Sequence, residues 1–292
     1  MAGVQDIRRR IRSVKNTQQV TKAMKMISAV KLRKSQERLV SLRPYATKLL
    51  QVVQEVVSHL QQVENAPMTP LTQAFLVPRE EKRLRVVVVA GDKGLCGGFN
   101  ANLLKVADAL FRERGVDIIQ LDAVGKRAAD WARKHGLKTT REYIATPLPG
   151  LSQVASELAA DAVRQYVADE IDALYVVCIF FTSPMNQTPT VLKVFPMPLE
   201  QLAENHKVEV PHLLEPDPVT LLEALLPQFV ETELIRSLLE SSASEHAARM
   251  SAMDKASSNA AEMIDRLTLH MNKLRQASIT NQIIEIVSGA NA

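Results

Sequence analysis

Residues 239–274 read LESSASEHAARMSAMDKASSNAAEMIDRLTLHMNKL. They belong to a stretch between Pro227 and Gly289 that contains no proline and no glycine, so about 60 residues can run as one α-helix roughly 90 Å long at about 1.5 Å per residue. Leu239, Ala243, His246, Met250, Met253, Ser257, Ala260, Ile264, Leu267, Met271 and Leu274 recur at alternating spacings of four and three. That alternation keeps one seam against one partner helix, as a coiled coil requires. Ala, Ser, His and Met stand where a permanent zipper would place Leu and Ile, so close approach is favoured over maximal buried area. A stiff rod able to turn against its neighbours has this pattern, and so does a merely weak coiled coil.

The partner helix is found at the other end of the chain. Leu39, Leu42, Ala46, Leu49, Val53, Val56, Leu60 and Val63 repeat the four-three alternation, and Ile7, Ile11 and Val14 keep it near the start. Between these stretches Val20, Met24 and Ile27 fall in a shifted register, which predicts a local change in supercoiling. Pro44 removes one ladder donor and predicts a kink or short break. Residues 1–66 are therefore expected to pair antiparallel with residues 228–292, because everything between them must leave and return at one end of the pair. Eleven cations (Arg8, Arg9, Arg10, Arg12, Lys15, Lys22, Lys25, Lys31, Arg33, Lys34 and Arg38) face one acid, Glu37, between Arg8 and Arg38. A face made soluble by mixed charge is not so lopsided, and the imbalance predicts an anionic partner, either phosphate or acidic protein.

The middle of the chain has another period. Pro67, Pro70 and Pro78, with the charged run 79–83, mark a linker over 67–83. Val86–Ala90 is a continuous, mostly β-branched run suited to a strand buried on both faces. Helices are expected at Ala101–Arg114, Lys126–His135 and Ser152–Ala168, and strands at Val116–Ala123 and Leu174–Thr182, with Thr190–Phe195 pairing across the turn 183–189. Such alternation defines an open, largely parallel α/β domain over 84–200, inserted between the halves of the coiled coil. A return segment, 201–227, carries Pro211, Pro216 and Pro218. Asp217 followed by Pro218 is a helix start, and Pro227 is expected to bend or restart that helix.

No catalytic constellation emerges. The loop Gly91-Asp92-Lys93-Gly94-Leu95-Cys96-Gly97-Gly98-Phe99-Asn100 sits where glycines can cradle phosphate, but it fits neither phosphate fingerprint. A tight turn with positive φ, and Asn100 capping the next helix, accounts for it. The two cysteines, Cys96 and Cys178, have no metal spacing and read as reduced structural thiols. The six histidines are scattered without ligand spacing. Catalytic, cofactor and metal residues are thus expected to be absent. Apolar runs are of strand length, too short to span a bilayer, and the basic start lacks the apolar core of a secretory signal.

A resemblance then covers the whole chain in order. Ile7-Arg8, Ser13-Val14-Lys15-Asn16-Thr17, Thr21-Lys22-Ala23-Met24-Lys25-Met26 and Lys31-Leu32-Arg33-Lys34 resemble the start of the γ subunits of rotary F-type ATP synthases. Gly94-Leu95-Cys96-Gly97-Gly98, Ser244-Glu245-His246-Ala247-Ala248-Arg249-Met250 and Asn272-Lys273 through Arg275-Gln276-Ala277-Ser278-Ile279-Thr280, with Glu285 and Gly289-Ala290, are similar to that family's later motifs. Gln282 departs from the pattern, which has an acid there. The resemblance implies a non-catalytic central rotor stalk: an antiparallel coiled coil carrying a Rossmann-like open α/β domain, in which proton-driven rotation of a c-ring is coupled to ATP synthesis on surrounding β subunits. It implies an α3β3 ring, an ε subunit and the c-ring as partners, no nucleic acid, and a peripheral place on the cytoplasmic face of a bacterial inner membrane. Met24, Lys25, Arg249, Gln276, Thr280, Gln282 and Glu285 would contact loops of the β subunits, and Ile283, Ile286 and Val287 would form a greasy bearing. The alternative is a basic coiled-coil protein that binds nucleic acid or acts as a scaffold.

Overall fold

A computed structural model describes residues 2–62, 69–76, 79–114, 117–183, 186–196 and 214–290, with side chains for all of these except 2–3, 61–62, 76 and 285–290. Val63, Pro67, Pro78, Val116 and the return segment up to residue 213, including Pro211, lie outside the described residues. The elements are α1 (Ala2–Gln62), α2 (Pro70–Leu76), β1 (Leu84–Val89), α3 (Phe99–Arg114), β2 (Ile118–Val124), α4 (Lys126–Lys134), β3 (Arg141–Tyr143), α5 (Leu151–Val167), β4 (Ala173–Phe181), β5 (Gln187–Phe195) and α6 (Pro218–Ala290). They form two compact units. One comprises the start of α1, up to Val30, with the end of α6 from Arg249; the other is Lys31–Ala248.

In the larger unit the five strands lie in the order β3-β2-β1-β4-β5. β1 pairs parallel with β2 and β4, β2 pairs parallel with β3, and β5 closes the sheet antiparallel to β4. The sheet is doubly wound, and its strand alternation sorts the two cores. Val86, Val88, Leu121, Ala123, Val177 and Ile179 face α3 and α4, where Phe99, Leu103, Trp131 and Ala132 are buried. Val87, Val89, Val124, Leu174, Val176 and Cys178 face the other way, into a core built from α5, the second half of α1 and the first half of α6. There Leu39, Leu49, Val53, Val56 and Leu60 of α1 share one cluster with Leu222, Leu226, Val230, Leu234 and Leu238 of α6. Contacts from Tyr45 to Gln228, Arg43 to Glu240 and Ser35 to Ser242 run in opposite chain senses, so the two helices are antiparallel.

In the smaller unit the same sense holds. Gln18 Nε2 donates to the Ser257 carbonyl at 3.4 Å, and Lys25 Nζ meets Asp254 Oδ1 at 2.6 Å.

Several expectations need correction. Of the kink or short break expected at Pro44 and the bend or restart expected at Pro227, the break and the restart do not occur: both prolines lie inside unbroken helices. A mid-helix proline costs about 3 kcal/mol, but buried Leu39, Ala46 and Leu49 flank Pro44, and Leu222, Leu226, Phe229 and Val230 flank Pro227. At roughly 1.5–3 kcal/mol per buried side chain, packing outweighs the lost bond. The C-terminal helix consequently starts at Pro218, where Asp217 Oδ1 accepts from the amides of Val219 and Thr220, both at 3.0 Å. The supposed linker contains α2, whose Phe75 is buried against Tyr166 and Phe195. The expected register shift in α1 is absent. Positions 7, 11, 14, 18, 21, 25, 28, 32, 35 and 39 all turn inward at three-four spacing, with Thr21, Ser28 and Ser35 buried. Val20 and Ile27, which suggested the shift, are each 58% exposed.

Candidate partner-facing surfaces

The inward stripe of α1 leaves an outward face of unusual composition. Arg8, Arg9, Arg10, Arg12, Lys15 and Lys22 are exposed, and with them Val20, Met26, Ile27 and Val30, at 57–70% exposure. Cations interleaved with uncovered aliphatic side chains suit a partner that is both acidic and apolar in patches. The Val20–Ile27 spacing of seven residues puts both on one side of α1, adjacent to the polar seam. A seam made of Thr and Ser was the signal that would have revealed this face, since it leaves the apolar residues without an inner position.

Met24 and Lys25 are half-buried, and Lys25 is engaged by Asp254 across the helix pair. Arg249 is buried, 8% exposed, and is not without a partner. Gln276, Thr280 and Gln282 are exposed on α6, and Thr280 Oγ1 bonds back to the Gln276 carbonyl at 3.0 Å, fixing that pair on one face. Ile283 projects to solvent beside Ile284, each 56% exposed, one turn beyond Ile279. Glu285, Ile286 and Val287 are helical in backbone, but their side chains lie outside the described residues. The structure therefore places Gln276, Thr280, Gln282 and Ile283 within two turns of α6, and Lys25 against Asp254 elsewhere in the same unit.

The glycine loop has a different role from the one its position suggests. In doubly wound sheets, ligands enter the crevice at the carboxyl ends of the two strands where the winding reverses, here β1 and β4. Residues of the α6 segment 240–245 occupy that place: Glu240, Ser241 and Ser244 bond to Ile179 and Phe181 of β4, and a Cβ on Gly91 would lie 2.9 Å from Glu245 Cδ. The loop is also internally satisfied. Asn100 does not cap α3, as its sequence position suggested; α3 starts at Phe99, and Asn100 Oδ1 accepts from the Gly91 amide at 2.9 Å while its amide reaches Cys96 Sγ at 3.2 Å. Asp92 Oδ1 accepts from the amides of Lys126 and Ala145, capping α4 from a neighbouring loop. Positive φ occurs at Gly97 and at the exposed Leu95.

Both thiols are buried, and burial pushes Cys178 up to about 12, so it is protonated and inert as a nucleophile. Burial likewise raises Glu233 and Glu240 on α6. Elsewhere in the α/β body, hydrogen bonding outweighs burial. Asp161, under the guanidinium groups of Arg164, Arg85 and Arg141, and Asp172, under the side chain and amide of Arg83 and the amide of Lys82, are both held below the usual carboxylate range. Among the described residues no group of three or more His, Cys, Asp or Glu is placed to hold a metal ion, and no helix is long and apolar enough to cross a membrane.

Two terminal helices paired antiparallel, with a doubly wound α/β insert whose ligand crevice is filled from within, define a class of helical-pair proteins. The sequence matches the ATP synthase family over residues 3–292. It is 47% identical over 292 residues to the ATP synthase gamma chain of Solibacter usitatus, covering 100% of this chain and 99% of that one. It is 42% identical over 293 residues to that of Pelotomaculum thermopropionicum, with the same coverage. The fold is similar to a chain of the Euglena gracilis mitochondrial ATP synthase OSCP/F1/c-ring assembly, with TM-score 0.63 and 17% identity over 100% of this chain and 94% of that chain. A Tetrahymena thermophila mitochondrial ATP synthase central stalk/c-ring chain matches with TM-score 0.56 and 21% identity over 82% of this chain and 99% of that one. The chain belongs to the ATP synthase gamma-chain family.

Proposed function

We propose that this chain is the central rotor stalk of an F-type ATP synthase, itself non-catalytic, coupling rotation of a c-ring to ATP synthesis on the β subunits of an α3β3 ring. The single observation that carries this is the pairing of the chain's two ends as an antiparallel helix pair whose outward face mixes cations with uncovered apolar side chains, in a chain of this family. An asymmetric helix pair presents different groups to three otherwise equivalent sites and biases each toward a different conformation by differential contact. Gln276, Thr280, Gln282 and Glu285 would meet β-subunit loops through bonds that break and re-form. Met24, Lys25 and Arg249, being partly or wholly buried, would act at those contacts by shaping the pair from within. Ile283, with Ile286 and Val287, would supply a low-friction apolar bearing. The ε subunit and the c-ring would engage the α/β body, at the cytoplasmic face of a bacterial inner membrane. The nucleic-acid-binding alternative has no supporting observation.

Reconstitution tests this directly. Purified ring subunits hydrolyse ATP faster when this chain is added, and the chain alone hydrolyses none; a ring equally active without it would refute the assignment.

A further inference from the structure

β4 outruns its parallel neighbour. It extends from Ala173 to Phe181, but its pairing with β1 ends at Val88↔Val177. The antiparallel edge continues to Phe181↔Gln187. Alternate residues of a strand direct their amide and carbonyl groups to one edge, so Ile179 and Phe181 face the edge that β1 has vacated, where unpaired backbone groups are costly.

Three side chains of α6 replace the missing strand. The Ile179 amide donates to Ser241 Oγ at 3.0 Å, Ser244 Oγ donates to the Ile179 carbonyl at 3.3 Å, and the Phe181 amide donates to Glu240 Oε2 at 2.8 Å. Ser244 is 0%, Ser241 3% and Glu240 5% exposed, so water offers no ready alternative. The stripe extends one turn back along α6, where the Arg236 guanidinium lies 5.4 Å from the Phe180 ring and buried Ser237 donates to the Glu233 carbonyl at 2.8 Å. Positions 236, 237, 240, 241 and 244 form one face of the helix.

We propose that this splice is the torque joint of the rotor: Glu240, Ser241 and Ser244 are positioning residues that fix the rotation of α6 about its own axis on the α/β body. A helix held by apolar packing alone can roll by sliding one ridge past another. Directional bonds to fixed backbone groups resist rolling, because turning α6 by one residue, about 100°, leaves two buried groups and one part-buried group without these partners. Torque delivered to the α/β body therefore passes into α6, which is one helix to Ala290. The joint rests on the rotor assignment made above.

The test uses the complete membrane enzyme in vesicles, comparing ATP hydrolysis with ATP-driven proton uptake. In the Ser241→Ala/Ser244→Ala double variant each lost bond raises the population of the slipped joint about fivefold or more. Hydrolysis in uncoupled vesicles is expected to stay within about twofold of wild type while protons moved per ATP fall about threefold or more. Glu240→Gln keeps an acceptor for the Phe181 amide and retains coupling; Glu240→Met, of similar size without an acceptor, loses it. A loss of hydrolysis and pumping in parallel, in proportion to assembled enzyme, would reduce the splice to a structural role and overturn the joint. Equal pumping per ATP in Glu240→Gln and Glu240→Met would overturn it as well. Failure of the rotor assignment looks different: hydrolysis by the ring would then not depend on the chain at all.

Discussion

Arg85 sits on the central strand with its side chain 0% exposed, and its placement makes a sharp energetic prediction. Its Nε meets Asp122 Oδ2 at 2.7 Å, and its Nη1 reaches Asp161 Oδ2 at 3.0 Å and Gln165 Oε1 at 2.7 Å. Nη2 of Arg85 and Oδ1 of Asp122 have no protein partner. Burial pushes Asp122 up, with Arg85 pulling against it, so the carboxylate is held at a cost. Asp122→Ala leaves the guanidinium buried with Nε and Nη2 both unmatched. Breaking such a pair costs about 3–5 kcal/mol; retained bonds to Asp161 and Gln165 put the expected loss near the lower end, at about 3 kcal/mol. Replacing both partners, Arg85→Met/Asp122→Leu, removes the stranded charge and should recover most of that loss, because well-packed apolar pairs match or exceed buried ion pairs. Urea unfolding of the full chain reads this through the single tryptophan, Trp131, which is buried in the α/β body with Nε1 on Asp108 at 2.7 Å. A single variant losing under about 1 kcal/mol, or a double variant less stable than the single, would refute the reasoning.

Four further outcomes follow from other parts of the structure. Gly125, at the β2–α4 turn, has φ 90°, and a Cβ there would fall 2.0 Å from the Ala90 carbonyl oxygen; Gly125→Ala should destabilise the α/β body by about 3 kcal/mol or more in the same urea titration. Glu233 is held above the usual carboxylate range chiefly by burial, so its native-state contribution is present below the unfolded value and lost as pH rises through the folded one. Glu233→Gln should therefore gain stability over wild type at neutral pH, with the gain vanishing as unfolding is measured in progressively more acid buffer. Asp172 has the opposite sign: its stabilisation exists above about pH 4 and disappears as pH falls through its lowered value, so Asp172→Asn costs most at neutral pH. Val20→Ser/Ile27→Ser changes two exposed side chains and should leave unfolding within about 0.5 kcal/mol of wild type, while weakening the stimulation of ring ATPase.

Where burial and periodicity agree, the fold was legible. The Val86–Val89 run, the heptads from Leu39 to Leu60 and the Asp217-Pro218 start each carry one strong physical signal, and each forms the element it suggests. β3 was not legible, because Arg-Glu-Tyr is polar, only three residues long, and held chiefly by its ladder to Asp122–Val124. α2 hid among prolines, although Pro70 is tolerated as a first helical residue. The register of α1 between residues 18 and 35 misled because its seam is mostly polar: Thr21, Ser28 and Ser35 are buried with Leu32, while Val20, Ile27 and Val30 are outside, so apolar periodicity traced the outer face. Of the candidate contacts, the exposed face around Gln276 and Ile283 could be placed from helical spacing alone. The engagement of Lys25 by Asp254 and the burial of Arg249 depend on the antiparallel register, which no single segment encodes.

Rotation itself is the most direct measurement. Cys96 and Cys178 are buried, so a cysteine introduced at exposed Lys134 on α4 offers a selectively reactive thiol among the described residues for attaching a visible probe. With the α3β3 ring fixed to a surface and ATP supplied, the probe on Lys134→Cys is expected to turn in one direction with three evenly spaced pauses per revolution. A probe that stays still while the same ring hydrolyses ATP would contradict the rotor account.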